Sequence, residues 1–153
     1  MSELRATEPD GPLPGHGPCY ICGDDNPAGL GLQWYADGNL VYSEFRLSLG
    51  QQGPPGHVHG GASAAILDEA MGKAVWRAGL EVLLANLNLN YRLPAPLGVA
   101  LRCEARVERS EGRKAWAKGR ILLPDGGVAV EGVGLYVRVP HFFAGHDWRS
   151  GTG

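Results

Sequence analysis

Apolar and polar positions along this chain follow two periods. Within the stretch 83–91 they alternate at every step from Ala85 onward. Ala85, Leu87, Leu89 and Tyr91 fall on one face and Asn86, Asn88 and Asn90 on the other, as in a strand with one covered face. Stretches at 30–36, 40–49, 99–109, 113–123 and 128–139 also read as strands, set off by Asp37-Gly38-Asn39, Glu111-Gly112 and Pro124-Asp125-Gly126-Gly127. Between the second and third strands, from His57-Val58-His59-Gly60-Gly61 to about Ala78, turn residues give way to Ala, Leu and Met. That segment predicts one helix, closed by Gly79. The order is two strands, one helix, four strands. It predicts an α+β domain whose antiparallel sheet of about six strands wraps around one central helix. The helix is apolar over most of its circumference (Ala62, Ala64, Ala65, Ile66, Leu67, Ala70, Met71, Ala74, Val75, Ala78), which is the pattern of a buried helix.

Length and composition narrow this picture. The 153 residues suit a single domain, and 44% hydrophobic content supports a packed core. Twenty-four Gly and 11 Pro exclude a helical bundle and fit short strands joined by turns. With 14 Lys+Arg against 16 Asp+Glu, the net charge of -2 argues against a nucleic-acid partner. Pro9, Pro12, Pro14 and Pro18, interleaved with Gly11, Gly15 and Gly17, predict a flexible arm over 1–18. The domain proper is expected at 19–139 and a tail at 140–153. No apolar run approaches the roughly 20 residues that span a bilayer, and the N-terminus carries no apolar export segment. Together with only three cysteines, this leads to the expectation of a cytoplasmic protein without membrane contact.

The candidate chemistry gathers on the helix. At about 100° per residue, Asp68 lies among Ala64, Met71, Gly72 and Val75, in the middle of an apolar stripe. Glu69 points elsewhere, with Lys73 and Arg77, at the spacing of an ordinary surface ion pair. A carboxylate in apolar surroundings is costly, so Asp68 either serves a reaction or is satisfied by a loop or an Arg. His59-Gly60-Gly61 opens the same helix. The free N–H groups of a helix start stabilise negative charge, and glycine lets a ligand approach the backbone. The alternative is that two glycines simply turn the chain. Gly60 and Asp68 are about 12 Å apart along a helix. One reacting carbonyl lies about 3 Å from both its oxyanion donors and its catalytic group. One chain therefore cannot offer both to the same carbonyl, whereas two antiparallel copies can. If both elements act, the protein is at least a dimer with shared sites.

The stretch Gln-Gly-Pro-Pro-Gly-His-Val-His-Gly-Gly-Ala-Ser-Ala-Ala-Ile-Leu-Asp-Glu-Ala-Met-Gly (52–72) resembles the helix entry of PaaI-type hotdog thioesterases. Ala-Asn-Leu-Asn-Leu-Asn-Tyr-Arg-Leu-Pro-Ala-Pro-Leu (85–97) resembles the next strand of that family. Cys19-Tyr-Ile-Cys-Gly with Asn26-Pro-Ala-Gly-Leu is similar to the N-terminal segment of its branch containing long-chain acyl-CoA thioesterases. The resemblance spans about 19–139. It implies a hotdog fold, a homodimer or homotetramer, and hydrolysis of acyl-CoA thioesters without a cofactor. It maps the oxyanion donor onto Gly60, with Gly61 beside it, the catalytic acid onto Asp68, and the motif histidine that shapes the carbonyl end of the site onto His59. Two positions depart from the family pattern. Gly53 stands where many relatives carry Asn, with Gln51 and Gln52 nearby, and Leu84 stands where the family has Ser or Thr to position water.

The remaining expected substrate contacts are Gln52, Gly53, Leu84 and Asn86 around the thioester, Trp76 as a wall for the acyl group, and Arg92, Arg113 and Lys114 toward the phosphates of coenzyme A. A thiol leaving group, with a pKa near 8.5, needs no strong general acid, so a carboxylate and an oxyanion hole suffice. The rival reading is a non-catalytic acyl-CoA-binding hotdog domain, and a hotdog hydratase is disfavoured because no His pairs with Asp68 within the helix. His16-x2-Cys19-x2-Cys22 offers three metal donors but no second pair at matching spacing, so no metal is expected. Cys103 is expected in the core, and Trp34, Trp116 and Trp148 in the core or an interface.

Overall fold

A computed structural model describes residues 10–145 of the chain. The elements are β1 (Gly11–Leu13), β2 (Trp34–Asp37), β3 (Leu40–Phe45), α1 (Gly60–Arg77), β4 (Val82–Tyr91), β5 (Leu101–Glu111), β6 (Lys114–Leu122), β7 (Val128–Arg138) and a short α2 (Pro140–Phe143). All seven strands form one antiparallel sheet in the order β1-β2-β3-β5-β6-β7-β4. The expected helix, and the strands on either side of it, stand within a few residues of their predicted bounds. Gly38, at φ 57, makes the tight β2–β3 turn that an L side chain would resist.

The sheet curves around α1. Ile66, Leu67, Ala70, Met71 and Val75 of the helix are fully buried against Leu101, Cys103, Ala105, Ala115, Ala117 and Ile121. The sheet residues under the helix are mostly small, and at Gly119 a Cβ would lie 3.1 Å from Leu67 Cδ2 and 3.2 Å from Met71 Cγ. The helix therefore sits close to the sheet because β6 lacks a side chain there. Trp34 and Cys103 are core residues, as expected. Trp116 is half-buried beneath the Arg109 guanidinium, 3.5 Å from its ring centroid. Trp148 lies outside the described residues.

Two expectations are corrected. Within the presumed arm, residues 11–13 form β1, which pairs Gly11 with Ala36 and Leu13 with Trp34. Pro12 is tolerated because β1 is an edge strand. The second correction concerns the polar side of α1. Lys73 and Arg77 are only 6% and 4% exposed, not solvated. The segment running through Asp10, Pro14 and His16 covers that face. Lys73 Nζ donates to Pro14 O at 3.4 Å, Arg77 donates to Gly38 O at 3.1 Å, and Arg77 meets Asp10 Oδ1 at 3.5 Å. A helix this apolar is enclosed on both sides, and its long cationic side chains reach backbone carbonyls through the covering segment.

Candidate active site

Helix α1 begins at Gly60 because His59 is extended (φ −62, ψ 135) and its ring caps the helix, Nδ1 accepting from the Gly61 N–H at 2.8 Å. That bond occupies the Gly61 donor. No hydrogen bond takes up the Gly60 N–H among the described residues. Gly60 is fixed from its other side, where Tyr91 donates its hydroxyl to Gly60 O at 2.6 Å. The approach strand is equally defined. His59 N–H donates to Gln51 O at 2.8 Å, and Gln52 turns its Oε1 back to the Gly56 N–H at 2.9 Å. Gly53 packs directly on His59, so that a Cβ there would stand 2.7 Å from His59 Cα. Gly53 thus belongs to the way this loop holds the cap.

Asp68 is half-buried on α1, two turns from Gly60. Tyr136 of β7, itself 2% exposed, places its hydroxyl 2.8 Å from Asp68 Oδ1 and 2.9 Å from Asp68 O. Burial pushes the Asp68 carboxyl above its ordinary range. The Tyr136 hydroxyl pulls it back, and the charge of the nearby Cys19 thiol raises it further. The Tyr136 phenol is driven well above its usual value by burial and by the adjacent carboxylate, so it remains a donor. The result is a carboxylate with one oxygen held by a neutral hydroxyl, on a helix whose first N–H is open. Such a pair of groups can activate water or attack a carbonyl on one side and stabilise an oxyanion on the other.

The strand register places the other expected residues. Leu84 pairs with Tyr136, and a bulge follows before Asn86 pairs with Leu135. Leu84 is 37% exposed and Asn86 is exposed, both beside β7, whose Tyr136 bonds the Asp68 carboxylate. Trp76, half-buried, packs edge-on against Phe143 of α2 with ring centroids 4.9 Å apart. Arg92 follows Tyr91 at the helix-start end of β4 and pairs with Glu131 at 3.2 Å. Arg113 donates to Arg138 O at 3.3 Å, and Lys114 pairs across from Val137, both next to the opposite end of β4. About 30 Å of strand separates these two cationic ends. A concavity of about 560 Å³ over β5, β6 and β7, lined in part by Glu104, Lys118 and Glu131, contains none of the candidate residues.

Sequence reading missed Tyr136 and Tyr91. Tyr136 is 68 residues from its partner and Tyr91 is 31 from Gly60. The one available signal was an aromatic hydroxyl on a strand predicted to face the helix.

Residues 55–130 match the family model of the thioesterase superfamily. Acyl-coenzyme A thioesterase THEM4 of Xenopus laevis is 36% identical over 90 residues, covering 58% of this chain and 40% of that protein. The chain thus matches about two fifths of this curated relative's length. The crystal structure of RHA08564, a thioesterase superfamily protein, is 33% identical with a TM-score of 0.76, over 78% of this chain and 60% of that one. The Escherichia coli PaaI protein from the phenylacetic acid degradation operon shares the fold, with a TM-score of 0.66 at 16% identity over 72% of this chain and 80% of that one. With its single antiparallel sheet around a central helix, the chain has the hotdog fold, similar to PaaI, and its residues 55–130 are a thioesterase-superfamily domain.

Proposed function

We propose that this protein hydrolyses the thioester of an acyl-coenzyme A to a free acid and coenzyme A, as a homo-oligomer whose sites draw on two subunits. The observation that carries the reading is the Asp68 carboxylate, half-buried on α1 with a neutral Tyr136 hydroxyl on one oxygen. Its second oxygen is the group that deprotonates water or attacks the thioester carbonyl. The Gly60 N–H receives the developing oxyanion, with His59 and Gly61 holding the turn that presents it. Expulsion of a thiolate follows without a strong acid. The name of the THEM4 relative and the acid-plus-helix-start pattern support this substrate class.

The oligomer follows from the same geometry. Eight helical residues put Gly60 about 12 Å from Asp68, too far to serve one carbonyl. Strand β4 ends the sheet, ten residues long, with Leu83 and Leu84 42% and 37% exposed. A long edge with exposed leucines is a template for another strand. Two-fold pairing of β4 would set two α1 helices antiparallel, with the helix start of one near Asp68 of the other. It would also bring Arg92 of one subunit toward Arg113 and Lys114 of its mate, a suitable cradle for phosphates, while Gln52, Gly53, Asn86 and Trp76 border the acyl path.

The second reading, acyl-CoA binding without turnover, is favoured only by the apolar Leu84 in the position expected to carry a hydroxyl. A panel of acyl-coenzyme A substrates followed by release of free thiol separates the two. Hydrolysis supports the enzyme, and saturable binding without thiol release supports the rival. No helix among the described residues is long and apolar enough to cross a membrane. Cys19, Cys22 and Cys103 form no disulfide, which supports the proposal that the protein works in a reducing compartment, the cytoplasm.

A further inference from the structure

The sequence offers three possible metal ligands close together, His16, Cys19 and Cys22, and no fourth. The fold supplies one. Glu69, 47 residues beyond Cys22 and on the covered face of α1, brings its carboxylate to the cluster, and one ligand atom from each of the four residues lies within 4.8 Å of the others. The individual separations are 3.3 Å for Cys22 Sγ to His16 Nδ1, 3.6 Å for His16 Nδ1 to Glu69 Oε1 and 3.8 Å for Cys19 Sγ to Glu69 Oε2. A tetrahedral zinc site with bonds of about 2.0–2.3 Å has ligand–ligand edges of about 3.3–3.8 Å. We propose that His16, Cys19, Cys22 and Glu69 form a structural site for a tetrahedral divalent metal ion, with zinc the ion that this donor set selects.

Three further features fit such an ion. Glu69 Oε1 is buried and accepts no hydrogen bond among the described residues. The Lys73 ammonium stands only at ion-pair distance from it, 3.5 Å, which leaves this buried acceptor free to take a closer cation. The loop is folded like a ligand knuckle. The Cys19 N–H donates to His16 O at 2.9 Å, the Gly23 N–H to Cys19 O at 3.0 Å, and the His16 N–H toward Cys22 Sγ at 3.4 Å. Gly23 is so enclosed that a Cβ would collide with the Gly17 and Cys19 backbone. Charge also balances. A divalent ion with two thiolates, a neutral imidazole and a carboxylate carries one net negative charge, and the buried Lys73 ammonium stands 3.5 Å from Glu69 Oε1 to offset it. Two thiolates and one imidazole among four ligands suit zinc better than calcium or magnesium, which take oxygen. All four tetrahedral positions are protein ligands, as in structural rather than catalytic sites. The ion would clamp the 16–22 loop onto α1 at the residue next to Asp68.

The test is elemental analysis of the full chain, purified through a tag that binds no metal and then equilibrated with micromolar zinc and desalted. The expected result is about one zinc per chain. Cobalt exchanged into the wild-type protein should show thiolate-to-metal charge transfer and the intense visible bands of tetrahedral cobalt, a readout that needs no variant to fold. Cys22→Ser should abolish both signals, and Glu69→Gln should weaken zinc binding by roughly 10- to 100-fold in competition with a chromogenic chelator. Three results would overturn the assignment: a wild-type protein that retains no metal while its thiols stay reduced, one in which Cys19 and Cys22 form a disulfide, or cobalt spectra without thiolate bands.

Discussion

The Tyr136 hydroxyl lies 2.8 Å from Asp68 Oδ1 across 68 residues of sequence, and among the described residues it is the one hydrogen-bond donor to that carboxylate. It stands on the strand residue paired with Leu84, so the phenol of β7 supplies a hydroxyl in the neighbourhood where β4 has none. Tyr136 is a positioning residue, because it touches the carboxylate rather than the substrate.

Removing that hydroxyl has a signed effect. Burial raises the Asp68 carboxyl and the Tyr136 hydrogen bond lowers it. In Tyr136→Phe only the raising influences remain, so the acid limb of the kcat/KM profile moves to higher pH. The loss of rate should be largest on the acid side and shrink toward the alkaline side. A purely structural role would lower the whole profile without shifting its limb.

The same burial makes Asp68 a cost to folding. Its raised carboxyl means that the ionised form is less at home in the folded state than in the unfolded chain. The penalty is full above the raised value and vanishes below the ordinary value of 3.8. Asp68→Asn should therefore raise Tm at pH 7–8, and the gain should fade as the pH approaches about 4. Thermal melts of both proteins across that range check the sign.

Gly53→Asn introduces the residue that the family resemblance leads one to expect here, yet it places a Cβ 2.7 Å from His59 Cα. Overpacking of this kind costs about 1–3 kcal/mol, or roughly 3–10 °C in Tm for a domain of this size. The displaced His59 cap should also lower kcat. A variant with wild-type Tm and kcat would show that the loop yields without consequence.

Sharing of the site between subunits is open to complementation. Gly60→Pro removes the candidate oxyanion donor while keeping the helix, since proline is tolerated at the first helical position and His59 already has the extended conformation that a following proline requires. Gly60→Pro and Asp68→Asn should each be nearly inactive. When they are co-expressed, half the dimers are mixed and one site in each is intact, so about a quarter of wild-type activity should return. Activity no higher than that of the parents would place both groups in a single subunit's site.

Much of this was legible in the sequence, and the limits are physical. The helix showed itself because turn residues give way to Ala, Leu and Met up to about Ala78, and Asp68 stood out because it lies in the middle of an apolar stripe. The strand of 82–91 was legible because apolar residues and Asn alternate along it from Ala85 to Tyr91. What could not be read depends on long-range register. Nothing local to Lys73 or Arg77 says that residues 10–16 fold over them, so both looked like surface charges. Nothing near Cys22 points to Glu69, because the two meet only when the N-terminal loop lies on α1. Tyr136 and Tyr91 act across pairings set by the sheet, and a sequence pattern gives the face of a strand more readily than its neighbour.

The central claim is that the Asp68 carboxylate does the chemistry, and the kcat of Asp68→Asn on the best substrate of the acyl-coenzyme A panel tests it most directly. The amide keeps the shape and removes the charge. With the fold verified by the melt above, kcat should fall about 10²–10⁴-fold, corresponding to roughly 3–5 kcal/mol of barrier. A folded Asp68→Asn protein turning over at the wild-type rate would contradict the account.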